Sequence, residues 1–100
     1  MTIRHVVSWK LAAEGAEERA AHAAEIARRL NALDGVVPGL LSISVGANTL
    51  YADANWDVAL VADFPSVAEL EAYQVHPAHT EVTGYVRSVV ASRVAVDFEV

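Results

Sequence analysis

From Ile3 to Lys10 apolar and polar positions alternate, so that Ile3, His5, Val7 and Trp9 fall on one side and Arg4, Val6, Ser8 and Lys10 on the other. A period of two puts successive side chains on opposite faces of a pleat, and the stretch predicts a half-buried strand. The period then lengthens. From about Ala16 to Leu33 there is no Gly or Pro, and Ala20, Ala23, Ala27 and Leu30, with Ile26 beside them, recur at three- and four-residue spacing. That spacing predicts an amphipathic helix with Glu17, Glu18, Arg19, Glu25, Arg28 and Arg29 toward water. Asp34-Gly35 and Pro38-Gly39 punctuate a turn, after which Leu41, Ile43 and Val45 alternate with Ser42 and Ser44 in a second strand ending at Gly46.

The polar stretch Ala47 to Asn55 reads as a loop or hairpin connection, and a third strand runs from Trp56 to Phe64, with Trp56, Val58, Leu60, Ala62 and Phe64 on one side. Ser66-Val67-Ala68-Glu69 fits a capping box, in which the Ser hydroxyl accepts from the third helical N–H. The short helix that follows carries Leu70 and Tyr73. His76-Pro77 interrupts it, because proline disfavours helical geometry at the preceding residue yet suits the first turn of a new helix, here about Pro77 to Val90. A last strand, Arg93 to Val100, sets Val94, Val96, Phe98 and Val100 against Arg93, Ala95, Asp97 and Glu99, with the orientation of Asp97 and Glu99 left open.

The two halves repeat as βαβ-βαβ in a single domain spanning residues 1–100. Right-handed crossovers turn that order into an α+β fold, one four-stranded antiparallel sheet with the helices on one face and the other face bare. Composition bears on the bare face. Apolar residues make up 54% of the chain and charged residues 20%, against about 45–50% and about 25% in ordinary soluble domains. A body this small cannot hide such a surplus alone, and two sheets packed face to face about a two-fold axis would cover it. A homodimer is expected.

No apolar run approaches a membrane span, and the opening Met1-Thr2-Ile3-Arg4-His5 lacks the layout of an export signal. The absence of cysteine suits a reducing cytoplasm. With a net charge of −6 and seven scattered Lys and Arg residues, nucleic-acid binding is not expected.

The candidate chemistry lies at the helix break. Tyr73 and His79 stand six residues apart across His76-Pro77, so a bend there can aim both between sheet and helices, where His5 of the first strand can join them. A neutral imidazole can take a proton from an activated carbon, and a phenol stays protonated and can donate to a developing enolate oxygen. Ile3, Val7, Trp9, Ile26, Leu30, Leu60 and Phe64 would supply a dry wall for a small apolar, aromatic or polyketide-like ligand. The residues alone read more readily as a core aromatic at Tyr73 whose hydroxyl meets a histidine only because buried polar tips need partners. His5, His76 and His79 do not make a metal site, since no carboxylate stands at ligand spacing with them. His22 reads as solvent-facing, and Glu14, Glu17, Glu18 and Glu25 as a wet helix face.

Five segments together resemble the stress-responsive dimeric α+β barrel family (Dabb). They are His5-Val6-Val7-Ser8-Trp9-Lys10, Val37-Pro38-Gly39-Leu40 followed by Gly46, Trp56-Asp57-Val58-Ala59-Leu60, Leu70 to His79, and Val96-Asp97-Phe98. The most specific piece is the Tyr-x-x-His-Pro-x-His element. The resemblance implies a ferredoxin-like protomer and a homodimer whose two sheets form a barrel. A plant cyclase in this family closes a linear poly-β-keto chain by aldol condensation without metal or cofactor. Its catalytic Tyr and His match Tyr73 and His79, and a cavity-lining His matches His5. That cyclase carries bulky aromatics on its first helix where this chain has Ile26, Ala27 and Leu30, which implies a different cavity shape. Two other roles stay open: a non-catalytic homodimer for stress response or small-ligand binding, and a cofactor-free monooxygenase sharing the barrel architecture.

Overall fold

A computed structural model describes residues 1–100. The elements follow in the order β1 (Ile3–Leu11), α1 (Ala16–Asn31), β2 (Ser42–Ala47), β3 (Val58–Phe64), α2 (Val67–Val75), α3 (Pro77–Val89) and β4 (Val90–Glu99). They form a ferredoxin-like fold: one antiparallel sheet in the order β2-β3-β1-β4 with all three helices on one side.

Register explains which side is covered. His5 lies opposite Ala62 of β3 and Asp97 of β4, and Val7 lies opposite Leu60 and Ala95. Ile3, His5, Val7, Trp9 and Leu11 therefore share a face with Val58, Leu60, Ala62 and Phe64, and that face is buried under Ile26, Leu30, Leu70, Tyr73, Val86 and Val89 of the helices. Each large side chain sealed there contributes about 1.5–3 kcal/mol of hydrophobic stabilisation. The opposite parity, with Val6, Val61, Val94, Val96 and Phe98, looks away from the helices.

The termini of elements differ from expectation for local reasons. α1 stops at Asn31 rather than Leu33, because the Asn31 side chain turns to the backbone of Val45, donating from Nδ2 to the carbonyl and accepting from the N–H, both at 3.0 Å. Leu33 stays buried in the turn that follows. β3 begins at Val58, since Asp57 spends its N–H on the Trp9 carbonyl at 2.9 Å and its carboxylate on the Leu11 N–H at 2.8 Å. Trp56 leaves the strand and borders a hollow over the open face with Ser8, Ser44 and Val61. β4 starts at once after α3, at Val90, and rejoins β1 through an irregularity at Lys10 and Leu11.

The capping box at Ser66 does not form. Ser66 is the N-cap, but its hydroxyl donates to the Glu69 carboxylate instead of accepting from the backbone. Gly39, with φ 86°, approaches α2 so closely that a Cβ there would stand 2.7 Å from Cγ of Glu69. The turn thus needs glycine for both its backbone angle and its clearance. No helix is long and apolar enough to cross a membrane.

Candidate active site

His76 makes the bend that organises the site. Its extended backbone (φ −64°, ψ 136°) ends α2 and caps α3, and its Nδ1 accepts from the Ala78 N–H at 3.1 Å, with Pro77 at the first helical position. His76 is thereby committed to the backbone. The break reorients the chain so that Tyr73, from the last turns of α2, and His79, from the first turn of α3, meet with ring centroids 4.2 Å apart at 43°. Phe64 backs Tyr73 at 5.0 Å.

These rings stand at a cleft of about 610 Å³ between β1, α3 and the start of β4. His5, Val7, Trp9, Leu30, Leu60, Tyr73 and His79 all line it. Ile26 does not: it is wholly enclosed in the core between α1 and the sheet, and Leu30, one turn on, is the α1 residue that reaches the cleft. Ile3 and Phe64 likewise belong to the core rather than the cleft wall. The lining further includes Gln74, Thr83, Arg87 and Arg93, which the sequence did not single out. His79, Thr83 and Arg87 fall at i, i+4 and i+8 on one stripe of α3. Arg93 stands opposite Trp9 in the sheet, on the same covered side.

Tyr73 is only 1% exposed, and its hydroxyl is sealed from solvent with no hydrogen-bond partner. Burial pushes its pKa up to about 12, so it remains a protonated donor. His79 shifts the other way. Desolvation lowers its pKa, the Gln74 carbonyl partly offsets this, and the electrostatic influence of the nearby His5, Arg93 and Arg87 lowers it further. Its Nδ1 lies 3.3 Å from the Gln74 carbonyl, which accepts from an Nδ1–H, leaving Nε2 as the nitrogen with a free lone pair. Thr83 anchors the same turn, donating to the His79 carbonyl at 2.8 Å.

His5 is buried, and its Nδ1 pairs with the Asp97 carboxylate directly across the sheet. Asp97 therefore faces the helices. His22, expected in water, is half-buried: its Nε2 lies 3.9 Å from Glu18, and its Nδ1 is enclosed without a partner. No three His, Asp or Glu side chains gather in a metal-holding arrangement. At a cleft lined half by apolar and half by polar side chains, a neutral imidazole can accept a proton from carbon while the protonated phenol beside it donates a hydrogen bond to oxygen.

Solved structures share this architecture. A dimeric ferredoxin-like protein of unknown function from Bacteroides fragilis is 25% identical with a TM-score of 0.90, over 99% of this chain and 96% of that one. One from Thermobifida fusca, also described as dimeric and of unknown function, is 29% identical with a TM-score of 0.84, over 100% of this chain and 92% of that one. A hydroxynitrile lyase from Passiflora edulis shares the fold at 16% identity, with a TM-score of 0.76 over 97% and 91%. No curated protein sequence matches. The model of the stress responsive A/B barrel domain (Dabb) matches residues 3–100, and the chain belongs to that family.

Proposed function

We propose that this protein is a cofactor-independent enzyme of the polyketide-cyclase type, a homodimer acting on small β-polyketone or phenolic carbonyl compounds by His79/Tyr73 acid–base chemistry. His79 Nε2 removes a proton from carbon between two carbonyls, and Tyr73 donates to the enolate oxygen that develops. The enolate carbon then attacks a second carbonyl carbon of the same chain. The imidazolium returns its proton to the resulting alkoxide, giving a β-hydroxy ketone that loses water to the ring. His5, held by Asp97, orients a substrate oxygen, while Val7, Trp9, Leu30 and Leu60 exclude water from the reacting carbons.

The observation that carries this reading is the orphaned Tyr73 hydroxyl. A buried donor without a partner costs about 1–3 kcal/mol, a cost that a purely structural tyrosine would shed by becoming phenylalanine. A ligand oxygen would satisfy it, after a small side-chain shift at the cleft floor. The hydroxynitrile lyase of like fold supports a catalytic use of the architecture. Pairing of two copies through the open sheet face is supported by its exposed valines and by the relatives described as dimeric.

The test is turnover and binding of β-polyketones and alkylphenols by the wild type, His79→Ala and Tyr73→Phe. His79→Ala should lower turnover by about 10²–10⁴-fold, the usual contribution of a positioned acid or base. Tyr73→Phe should lose turnover while thermal stability holds or rises by about 1 kcal/mol. Saturable binding without turnover would make the protein a small-ligand binder. A Tyr73→Phe variant that is fully active but less stable would remove the catalytic role.

A further inference from the structure

The protein carries a net charge of −6, yet none of the sixteen side chains around the cleft is Asp or Glu, and two of them are Arg87 and Arg93. Elsewhere the arginines are occupied. Arg4 pairs with Asp63, Arg28 and Arg29 with Glu25, and Arg19 donates to the Glu14 carbonyl. Arg87 and Arg93 have no carboxylate within 4.0 Å and no side-chain hydrogen bond. Asp97, the acid on the neighbouring stretch of β4, is tied to His5 and does not line the cleft.

Position sharpens the contrast. The lining is graded: Val7, Trp9, Leu30 and Leu60 are buried, whereas Arg87 and Arg93 are exposed. Arg87 ends the stripe that starts at His79, and Arg93 rises from β4 beside Trp9. Both lie close enough to depress the His79 pKa. Two unpaired guanidiniums at the rim of a cleft with an apolar floor, in a protein otherwise negative, favour a ligand that brings its own negative charge to that rim.

We infer that the ligand is an amphiphilic anion: a phenolic or polyketone body on the apolar floor, with an anionic oxygen group, carboxylate or phosphate ester, held by Arg87 and Arg93. This rests on the proposed reading of the site and adds the charge and orientation of its substrate. The group left outside is the acid end, so the reacting carbons lie toward His79 and Tyr73.

The experiment is calorimetric titration of the full chain with three ligands of one skeleton: 5-methylresorcinol, 2,4-dihydroxy-6-methylbenzoate and the phosphate monoester of 5-methylresorcinol. At low salt, at least one anion should bind about tenfold tighter than the neutral phenol, as a partly exposed charge-assisted contact provides. The preference should shrink toward unity in about 1 M salt. It should also fall to within about twofold in the Arg87→Gln/Arg93→Gln double variant, while Arg28→Gln keeps it. The tighter of the two anions identifies the source of the charge. If the neutral phenol binds as tightly as both anions, or if the preference survives either high salt or the double substitution, the inference falls and the proposed function stands. If none of the three binds the wild type, both fall. The wild-type comparison and its salt dependence decide the matter even should the double variant fold poorly.

Discussion

His79 gains its chemistry from what surrounds it. Desolvation holds its pKa below the ordinary 6.5, and Arg93 and Arg87 act in the same direction. The folded protein therefore resists protonation at a pH where the unfolded chain accepts it, and stability linked to His79 rises with pH through the window just below 6.5, then levels above it. The base form is already dominant at neutral pH. The pH–rate profile should accordingly rise with a midpoint below pH 6.5, and the double replacement of Arg87 and Arg93 by Gln should move that rise to higher pH. An unchanged midpoint would show that the two guanidiniums do not act on His79. NMR titration of the His79 ring gives the same shift without a substrate. Tyr73 and His79 were visible in the sequence, because a motif carried them and a proline between them announced the bend. Arg87 and Thr83 were equally readable at four-residue steps from His79, but nothing in the sequence said that this stripe of α3 would face the cleft. Asp97 needed the register of β4 against β1, a pairing across 92 residues.

At the scale of elements, the periodicities placed every strand and helix, and the disagreements sit at their ends, where single side chains rather than patterns decide. Asn31 is the clearest case. β2 is an edge strand, so the outward backbone groups of Val45 have no neighbouring strand, and the Asn31 amide supplies both a donor and an acceptor to them at 3.0 Å. One side chain thus ends α1, protects a sheet edge and fixes helix against strand. Asn31→Ala should cost about 1–3 kcal/mol, two hydrogen bonds' worth, measured by urea denaturation. Amide exchange at Val45 should quicken at the same time. A loss confined to a few tenths of a kcal/mol would mean that water replaces the amide without penalty. Helical propensity favours continuing α1 to Leu33, and only the tertiary contact overrides it. The same lesson applies at Ser66, where the sequence matched a capping box and the hydroxyl found a carboxylate instead.

The whole molecule has one large surface that its own helices do not cover. Val94, Val96 and Phe98 of β4 are 51%, 62% and 45% exposed, and with Val6 and Val61 they form an apolar strip on the open side of the sheet. The Arg4–Asp63 pair, with two contacts at 2.9 Å, sits on the same side and satisfies its own charges, so it can enter an interface without an unpaired ion. The apolar excess of the chain requires such a face, and strand parity places it on the side away from the helices. If two copies meet there, Phe98→Glu buries an uncompensated carboxylate in each half of the interface, a cost of several kcal/mol that hydrophobic contact nearby cannot offset. Sedimentation of the wild type should give about twice the 10.7 kDa of one chain, and Phe98→Glu should give 10.7 kDa. Val75→Glu, an equally charged change at a 76% exposed site on α2, should leave the mass of the wild type. Because the cleft lies on the helix side of the sheet, the monomeric variant should still bind the cleft ligand within a few-fold of wild type. A wild-type protein sedimenting at 10.7 kDa across all concentrations would leave the apolar strip without an occupant and remove the dimer.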